Sequence, residues 1–194
     1  MRIGLTGGLG SGATEAARYL ESKGYHIVSG DKIGHKTLLS PSVKSALVKR
    51  FGEGILSSAG EIDRRKLGEI VFSDDQARVD LNHIIHPVLL QYLRREVTRS
   101  EAEKGVVIVD AALIYEWALQ SYFDVMIVVN APLQDRIARA VARDNLTEDL
   151  IRQRIAAQMP LEDKAKLADY VIDNLGSIPQ LHEKVDRIMQ ALLL

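Results

Sequence analysis

Cysteine is absent from the 194-residue chain. Its absence excludes a disulfide framework, a thiol nucleophile and a cysteine-based zinc site, and it fits a reducing compartment, so we expect a cytoplasmic protein. No apolar run approaches the ~18 residues that a membrane span needs. An apolar strand already occupies residues 2 to 6, so we also expect neither a signal peptide nor a membrane partner.

An excess of one charge is also missing. The 25 Lys and Arg residues nearly balance 26 Asp and Glu, for a net charge of −1. Without a global field, binding to nucleic acid is not expected, and any anion site must be local. The composition, 46% hydrophobic and 26% charged, predicts one folded core with an insertion. The sequence leaves the oligomeric state open between a monomer and a small homo-oligomer.

Five short apolar runs predict the strands of a parallel sheet. They are rich in β-branched residues and do not alternate with polar ones, which is typical of strands covered by helices on both faces. Helical segments separate them, so the fold class is α/β, with the carboxyl ends of the strands along one edge. The runs are Ile3–Thr6, His26–Val28, Val106–Val109, Val125–Val129 and Tyr170–Ile172.

Two excursions interrupt this rhythm. The first has helical periodicity and no strand candidate, and it is too long for an ordinary connection; we interpret it as a helical insertion that binds a second substrate. The second is helical, rich in arginine, and placed like a mobile lid. The predicted organisation is a nucleotide-binding core at 1–33, 103–133 and 167–194, an insertion at 34–102 and a lid at 134–166.

A glycine-rich loop follows the first strand. Residues 7–14 have the spacing G-x-x-x-x-G and then a hydroxyl residue two positions on, which is the P-loop pattern. Such a loop turns backbone N–H groups toward a phosphate, and the helix after it adds its positive end. A tight turn without a ligand is the alternative. The residues predicted to bind the nucleotide are Gly8, Gly10, Ser11, Gly12, Ala13 and Thr14. Thr14 is also predicted to hold Mg²⁺.

The position that normally carries the P-loop lysine is Ala13. That lysine contacts the β and γ phosphates, and its loss is expected to lower the rate on the order of 10²–10³ by analogy with other preorganised donors. Glu15 places a carboxylate in the first helical turn, where it either opposes the phosphates or stabilises the helix start. Arg143, Lys32 and Lys164 are the candidates to replace the missing cation.

The order of the motifs resembles the dephospho-coenzyme A kinase family over nearly the whole chain. The resemblance begins with Ile3–Gly12 and continues with Asp31, although Ser29 stands where the family has a first acidic residue. The sequence also departs from the family at Ala112, where the family usually has proline. The remaining matching segments are Gly60–Leu67, Asn82–Pro87, Asp110–Glu116, the pair Arg139 and Arg143, Gln158–Pro160 with Lys164, Ala168–Asp169 and Asp173–Asn174.

The resemblance implies a P-loop kinase fold and transfer of the ATP γ-phosphoryl group to the ribose 3′-hydroxyl of dephospho-coenzyme A, with Mg²⁺. Asp31 is the candidate to accept the hydroxyl proton; the alternative, a helix N-cap for the segment that begins at Lys32, is compatible with that role. Arg139 and Arg143, four apart on one helical face, are candidates to clamp the transferring phosphates, or else form a solvated basic face. Asn174 resembles the position near the adenine.

Three further residues are candidates for substrate binding. Asp110 ends a strand beside the loop and could hold Mg²⁺ directly or through water, or only cap a turn. Arg64 suits an anionic group of the acceptor, with a surface ion pair as the alternative. His86 precedes a proline and either contacts the acceptor or caps the end of a helix.

Three functions fit these motifs. The first is a working kinase of this family. The second is a related protein that binds (dephospho-)coenzyme A without transferring phosphate, because the departures at Ala13, Glu15 and Ser29 cluster around the nucleotide. The third, a kinase for another nucleoside-like alcohol, is disfavoured by the motifs of the insertion.

Overall fold

The computed structural model describes residues 1–193 and divides the chain into two compact units. The first, here called the sheet unit, comprises Met1–Ser29 and the chain from Val97 onward. The second, the helical unit, is Gly30–Glu96. The strands are β1 Arg2–Gly7, β2 His26–Ser29, β3 Val107–Asp110, β4 Val125–Asn130 and β5 Tyr170–Asp173. The α-helices are α1 Ala13–Ser22, α2 Gly30–Leu38, α3 Pro41–Phe51, α4 Arg64–Ser73, α5 Asp75–Lys104, α6 Leu133–Asp144, α7 Glu148–Ala156, α8 Leu161–Lys166 and α9 Ile178–Leu193.

The five strands form one parallel sheet in the order β2-β3-β1-β4-β5. This confirms the predicted α/β fold and the position of every strand to within one residue at each end. The order places β1 at the centre, between β3 and β4. Because parallel strands end along one edge, the glycine loop after β1 lies beside the ends of its two neighbours.

The core of the sheet unit lies between the sheet and the helices α1 and α9. Ile3, Ile108 and Val129 from three strands are fully buried there, together with Leu20 of α1 and Val185 of α9. At about 25 cal/mol per Å² of apolar surface, each such side chain contributes roughly 1.5–3 kcal/mol before entropy is counted. This packing fixes the loop between β1 and α1 at both of its ends.

The helical unit has a core of its own. Val43 and Leu47 of α3 pack with Ile55 and with Leu67 and Val71 of α4. Helix α4 begins at a clear signal, because the Asp63 carboxylate accepts hydrogen bonds from the backbone N–H of Arg65 at 3.0 Å and Lys66 at 3.2 Å. These bonds, that of Lys66 first, lower the pKa of Asp63, as expected for a capping carboxylate.

Helix α5 continues through Pro87. The alternative in which His86 caps a helix end is therefore wrong. A proline inside a helix removes one backbone hydrogen bond and crowds the preceding turn, but Leu89, Leu93 and Val97 are all buried on the following turns. Their burial offsets the cost of the break. Along residues 1–193, no helix is both long and apolar enough to cross a membrane.

Candidate active site

The glycine loop leaves β1 at Gly7 and enters α1 at Ala13. Gly10 and Gly12 have φ values of 77° and 105°, a left-handed region that residues with a side chain enter at a cost. Gly12 is the N-cap of α1, and no side chain caps the helix there. The first N–H groups of α1 therefore have no partner within the helix, which leaves them available to an anion.

Three side chains from distant parts of the chain hold this loop. The Asn174 amide donates to Ser11 O at 2.8 Å, and the Gln158 side-chain oxygen accepts from the Leu9 N–H at 3.1 Å. Arg136 Nε donates to Leu9 O at 3.1 Å. Asn174 and Arg136 are buried, at 8% and 4% exposure. The loop is thus fixed from outside before a nucleotide arrives.

The start of α6 packs directly against the loop. A Cβ atom on Gly10 would lie 2.2 Å from the backbone oxygen of Arg136, and one on Gly8 would lie 2.2 Å from Arg136 Nη2. No side chain fits at either position without moving backbone or guanidinium. Gly12 is equally restricted, because its Cβ would lie 2.5 Å from the Asn174 amide nitrogen.

Thr14 and Asp110 are the two residues whose side-chain oxygens the sequence predicts as ligands of Mg²⁺. Thr14 is exposed in the first turn of α1, and Asp110 ends β3, in register with Leu5 of the neighbouring β1. Over residues 1–193, no group of three His, Cys, Asp or Glu side chains is arranged to hold a metal ion. One hydroxyl and one carboxylate suit Mg²⁺ that keeps several waters and binds phosphate oxygens.

The carboxylate of Glu15 is engaged by side chains of the helices. Its Oε1 lies 3.2 Å from His182 Nε2, and its Oε2 lies 3.8 Å from Arg18 Nη1. The His182 ring is stacked on Tyr19, with 3.9 Å between the ring centroids. These contacts of Glu15 favour its role as part of the α1–α9 packing over opposition to a phosphate.

Lys164 is fully buried and holds a different part of the site. Its ammonium lies 2.8 Å from Glu116 Oε1 and donates to Ala112 O at 2.7 Å. The same Glu116 oxygen accepts from the Met159 N–H at 2.9 Å. Burial lowers the pKa of Lys164, Glu116 opposes that effect, and the charge of Arg136 adds to it. Lys164 therefore ties the segment after β3 to the start of α8.

The two predicted clamp arginines differ in their contacts. Arg139 Nη2 donates to Asn174 O at 3.5 Å, and its buried Nη1 has no hydrogen-bond partner among residues 1–193. Arg143 forms a two-pronged pair with its neighbour Asp144, at 2.6 and 2.9 Å, which raises the pKa of Arg143 and lowers that of Asp144. Arg139 thus lies beside the loop contacts, whereas Arg143 is held by a local carboxylate.

In the helical unit, two predicted site residues contact each other. Arg64 Nη2 donates to Asp31 Oδ1 at 3.2 Å. Asp31 is the second residue of α2, so it lies within the helix and is not its N-cap. Its side chain is 82% exposed. Arg64 is 51% exposed. Both side chains are therefore accessible to a solute. Burial, then the charge of His83, lowers the pKa of His86.

Comparisons with known proteins identify the family of this chain. The family model described as dephospho-CoA kinase matches residues 1–180. The chain belongs to the dephospho-CoA kinase family. It is 38% identical to the dephospho-CoA kinase of Carboxydothermus hydrogenoformans over 97% of this chain and 92% of that one.

Two solved structures resemble this member of the dephospho-CoA kinase family. A Thermus thermophilus protein superimposes with a TM-score of 0.86 at 31% identity, covering 100% of this chain and 98% of the other. The dephospho-CoA kinase of Campylobacter jejuni gives 0.73 at 25% identity, covering 98% and 96%. The family assignment and the fold are therefore consistent over the full length.

Sequence reasoning about this dephospho-CoA kinase family member missed two residues that build the site. In the sequence, Arg136 is only one arginine of the arginine-rich segment 134–166, and Glu116 only the last residue of the matching segment Asp110–Glu116. A signal for Arg136 was present, because it lies three residues before Arg139 and seven before Arg143, on one helical face. The three arginines differ in their roles because each forms hydrogen bonds with a different partner: Leu9 O, Asn174 O and the Asp144 carboxylate.

Proposed function

We propose that the protein transfers the γ-phosphoryl group of ATP to the ribose 3′-hydroxyl of dephospho-CoA, with Mg²⁺. The proposal rests above all on the loop between β1 and α1, where two glycines with positive φ precede an uncapped helix N-terminus. That arrangement binds the phosphates of a nucleotide. Membership of the dephospho-CoA kinase family supports the choice of acceptor. The cytoplasm is the compartment we expect.

On the nucleotide side, the loop N–H groups and α1 are proposed to bind the β and γ phosphates. Thr14, with Asp110 directly or through water, would hold Mg²⁺, which neutralises charge on the phosphate oxygens when bound. Asn174, whose amide donates to Ser11 O, is proposed to border the adenine. Arg139 and Arg143 would clamp the phosphates, and Arg143 must first exchange Asp144 for a phosphate.

On the acceptor side, Asp31 is proposed to accept the proton of the attacking 3′-hydroxyl. Kinases position a carboxylate for this purpose, and little other covalent chemistry is needed. The guanidinium of Arg64 holds the Asp31 carboxylate at 3.2 Å and is suited to an anionic group of the acceptor. His86 is proposed to contribute to the same binding surface. The predicted insertion at 34–102 and lid at 134–166 remain part of this proposal.

The decisive experiment measures ADP release with Mg-ATP and dephospho-CoA and identifies the product by mass spectrometry. We expect formation of CoA that depends on both substrates, on Mg²⁺ and on Asp31. ATP hydrolysis that does not change with dephospho-CoA would contradict the proposal. If calorimetry detects binding of dephospho-CoA but no CoA forms, the protein is a binding member of the family that does not transfer phosphate.

A further inference from the structure

The loop lacks a cation at the position where the P-loop pattern has lysine. Ala13 begins α1 with a methyl group only. Of the three residues predicted to replace the missing lysine, two are bound elsewhere. Lys164 is bound by Glu116 and Ala112 O, and Arg143 is bound by Asp144. The contacts within the sheet unit point to a residue that none of the sequence candidates included.

Arg136 is a cation in direct contact with the glycine loop. Its side chain is 4% exposed, its Nε donates to Leu9 O, and its Nη2 lies against Gly8. A phosphate-binding loop turns its N–H groups toward the anion, so its carbonyl oxygens face the other way. By bonding to a loop carbonyl, Arg136 lies behind the loop rather than in its hollow.

Arg136 lies close to a second buried cation. Arg136 and Lys164 are both buried, and the charge of Arg136 acts on Lys164. Glu116 is bonded to Lys164, and the charge of Glu162 acts on Arg136. Burial lowers the pKa of Arg136, yet a guanidinium remains charged. A phosphate bound on the other side of the loop would add a favourable interaction with this buried charge, because the interaction is strong at low dielectric.

We propose that Arg136 is a positioning residue that compensates for Ala13: it holds the Leu9 carbonyl and supplies, through the loop, the positive potential that the missing lysine would supply by contact. The inference rests on the proposed function for its meaning, but it concerns nucleotide binding and is testable without turnover. It explains how a loop with alanine at this position retains affinity for a polyphosphate.

The test is a double-mutant cycle on Mg-ATP affinity, measured by calorimetry, with R136Q, A13K and the double variant. Loss of a charged hydrogen bond and its field is expected to raise the Kd of R136Q by about tenfold. In the A13K background the same change should cost about threefold or less, because lysine then supplies the charge. R187Q, which removes an exposed arginine of α9 paired with Glu183, is the matched control and should leave the Kd unchanged.

Equal losses of affinity in the two backgrounds would overturn the proposal, since a purely structural arginine cannot be replaced by a lysine at position 13. R136K keeps the charge and separates it from the shape of the guanidinium. If R136K folds and binds as weakly as R136Q, the charge is not what matters and the proposal fails. Thermal unfolding shows whether each variant folds. If R136Q does not fold, R136K takes its place in the test. Mg-ATP binding without CoA formation would contradict the proposed function alone.

Discussion

The glycine loop and the Asp31–Arg64 pair differ in how completely the protein fixes them. Side chains from three distant segments hold the loop, and two of them, Arg136 and Asn174, are buried. Asp31 and Arg64, by contrast, are exposed and bonded to each other. Preorganised donors lower a barrier because they need no reorganisation during the reaction. The loop proposed to bind nucleotide is therefore built in advance, while the side chains proposed for the acceptor remain available to be ordered by a substrate.

The strongest test of this comparison is Asp31→Asn. Removal of the proposed proton acceptor is expected to lower kcat by about a thousandfold. Because the side chain is 82% exposed, the free energy of unfolding should change by less than about 0.5 kcal/mol. Steady-state CoA formation and urea unfolding measure the two effects.

The matched control for Asp31 is Asp75→Asn, another exposed aspartate of the helical unit, paired with Arg78 at 2.8 Å. It should leave both kcat and stability unchanged. Equal loss of activity in the two variants would show that Asp31 has no special part in the reaction.

Lys164→Met tests the opposite side of the comparison. It removes the ion-pair partner of Glu116 at a site where the lysine is fully buried, and breaking such a pair costs about 4 kcal/mol of unfolding free energy. Lys166→Met removes an exposed lysine paired with Asp163 at 2.8 Å and should cost less than about 0.5 kcal/mol. Similar urea midpoints for the two variants would show that the buried pair does not hold the nucleotide side together.

Gly10→Ala sharpens the account of the loop. Its positive φ alone costs an alanine about 1–2 kcal/mol, and the Cβ would meet the Arg136 backbone oxygen, for about 3 kcal/mol in all. Gly24→Ala is the control, since Gly24 also has positive φ, at 92°, but nothing lies within 4 Å of its Cβ position. We expect Gly10→Ala alone to weaken Mg-ATP binding as well, which calorimetry can check.

The smallest expected effect is the pH dependence due to His86. Burial lowers its folded-state pKa below 6.5, so in the interval between the folded pKa and 6.5 the unfolded chain binds more protons. Stability therefore rises with pH through that interval and is lost as the pH falls. The effect should stay under about 1 kcal/mol because the ring is partly exposed. Urea midpoints at about pH 7.5 and about pH 5.5 should differ less in His86→Gln than in the unaltered protein.

The sequence predicted the sheet well because its strands are short β-branched runs between helices, a local pattern. It also located the loop, since glycine spacing is local too. It could not predict that α5 passes through Pro87, because burial of Leu89 and Leu93 is a tertiary effect. The sequence places Arg136 on the helical face of Arg139, but it could not predict that Arg136 is buried, since an arginine on a helix is normally solvated. The Asp31–Arg64 contact joins residues 33 apart, and no local pattern encodes it.

The contacts that hold the loop have a consequence for protein engineering. Asn174 and Gln158 bond to loop residues that precede them by 163 and 149 positions, and Arg136 to one 127 positions earlier. If the glycine motif were transplanted into another scaffold, its sequence would be kept but these three hydrogen bonds would be lost. Grafting phosphate affinity from this protein requires the partners from the far end of the chain, and a fragment that ends before α6 would carry the motif without its shape.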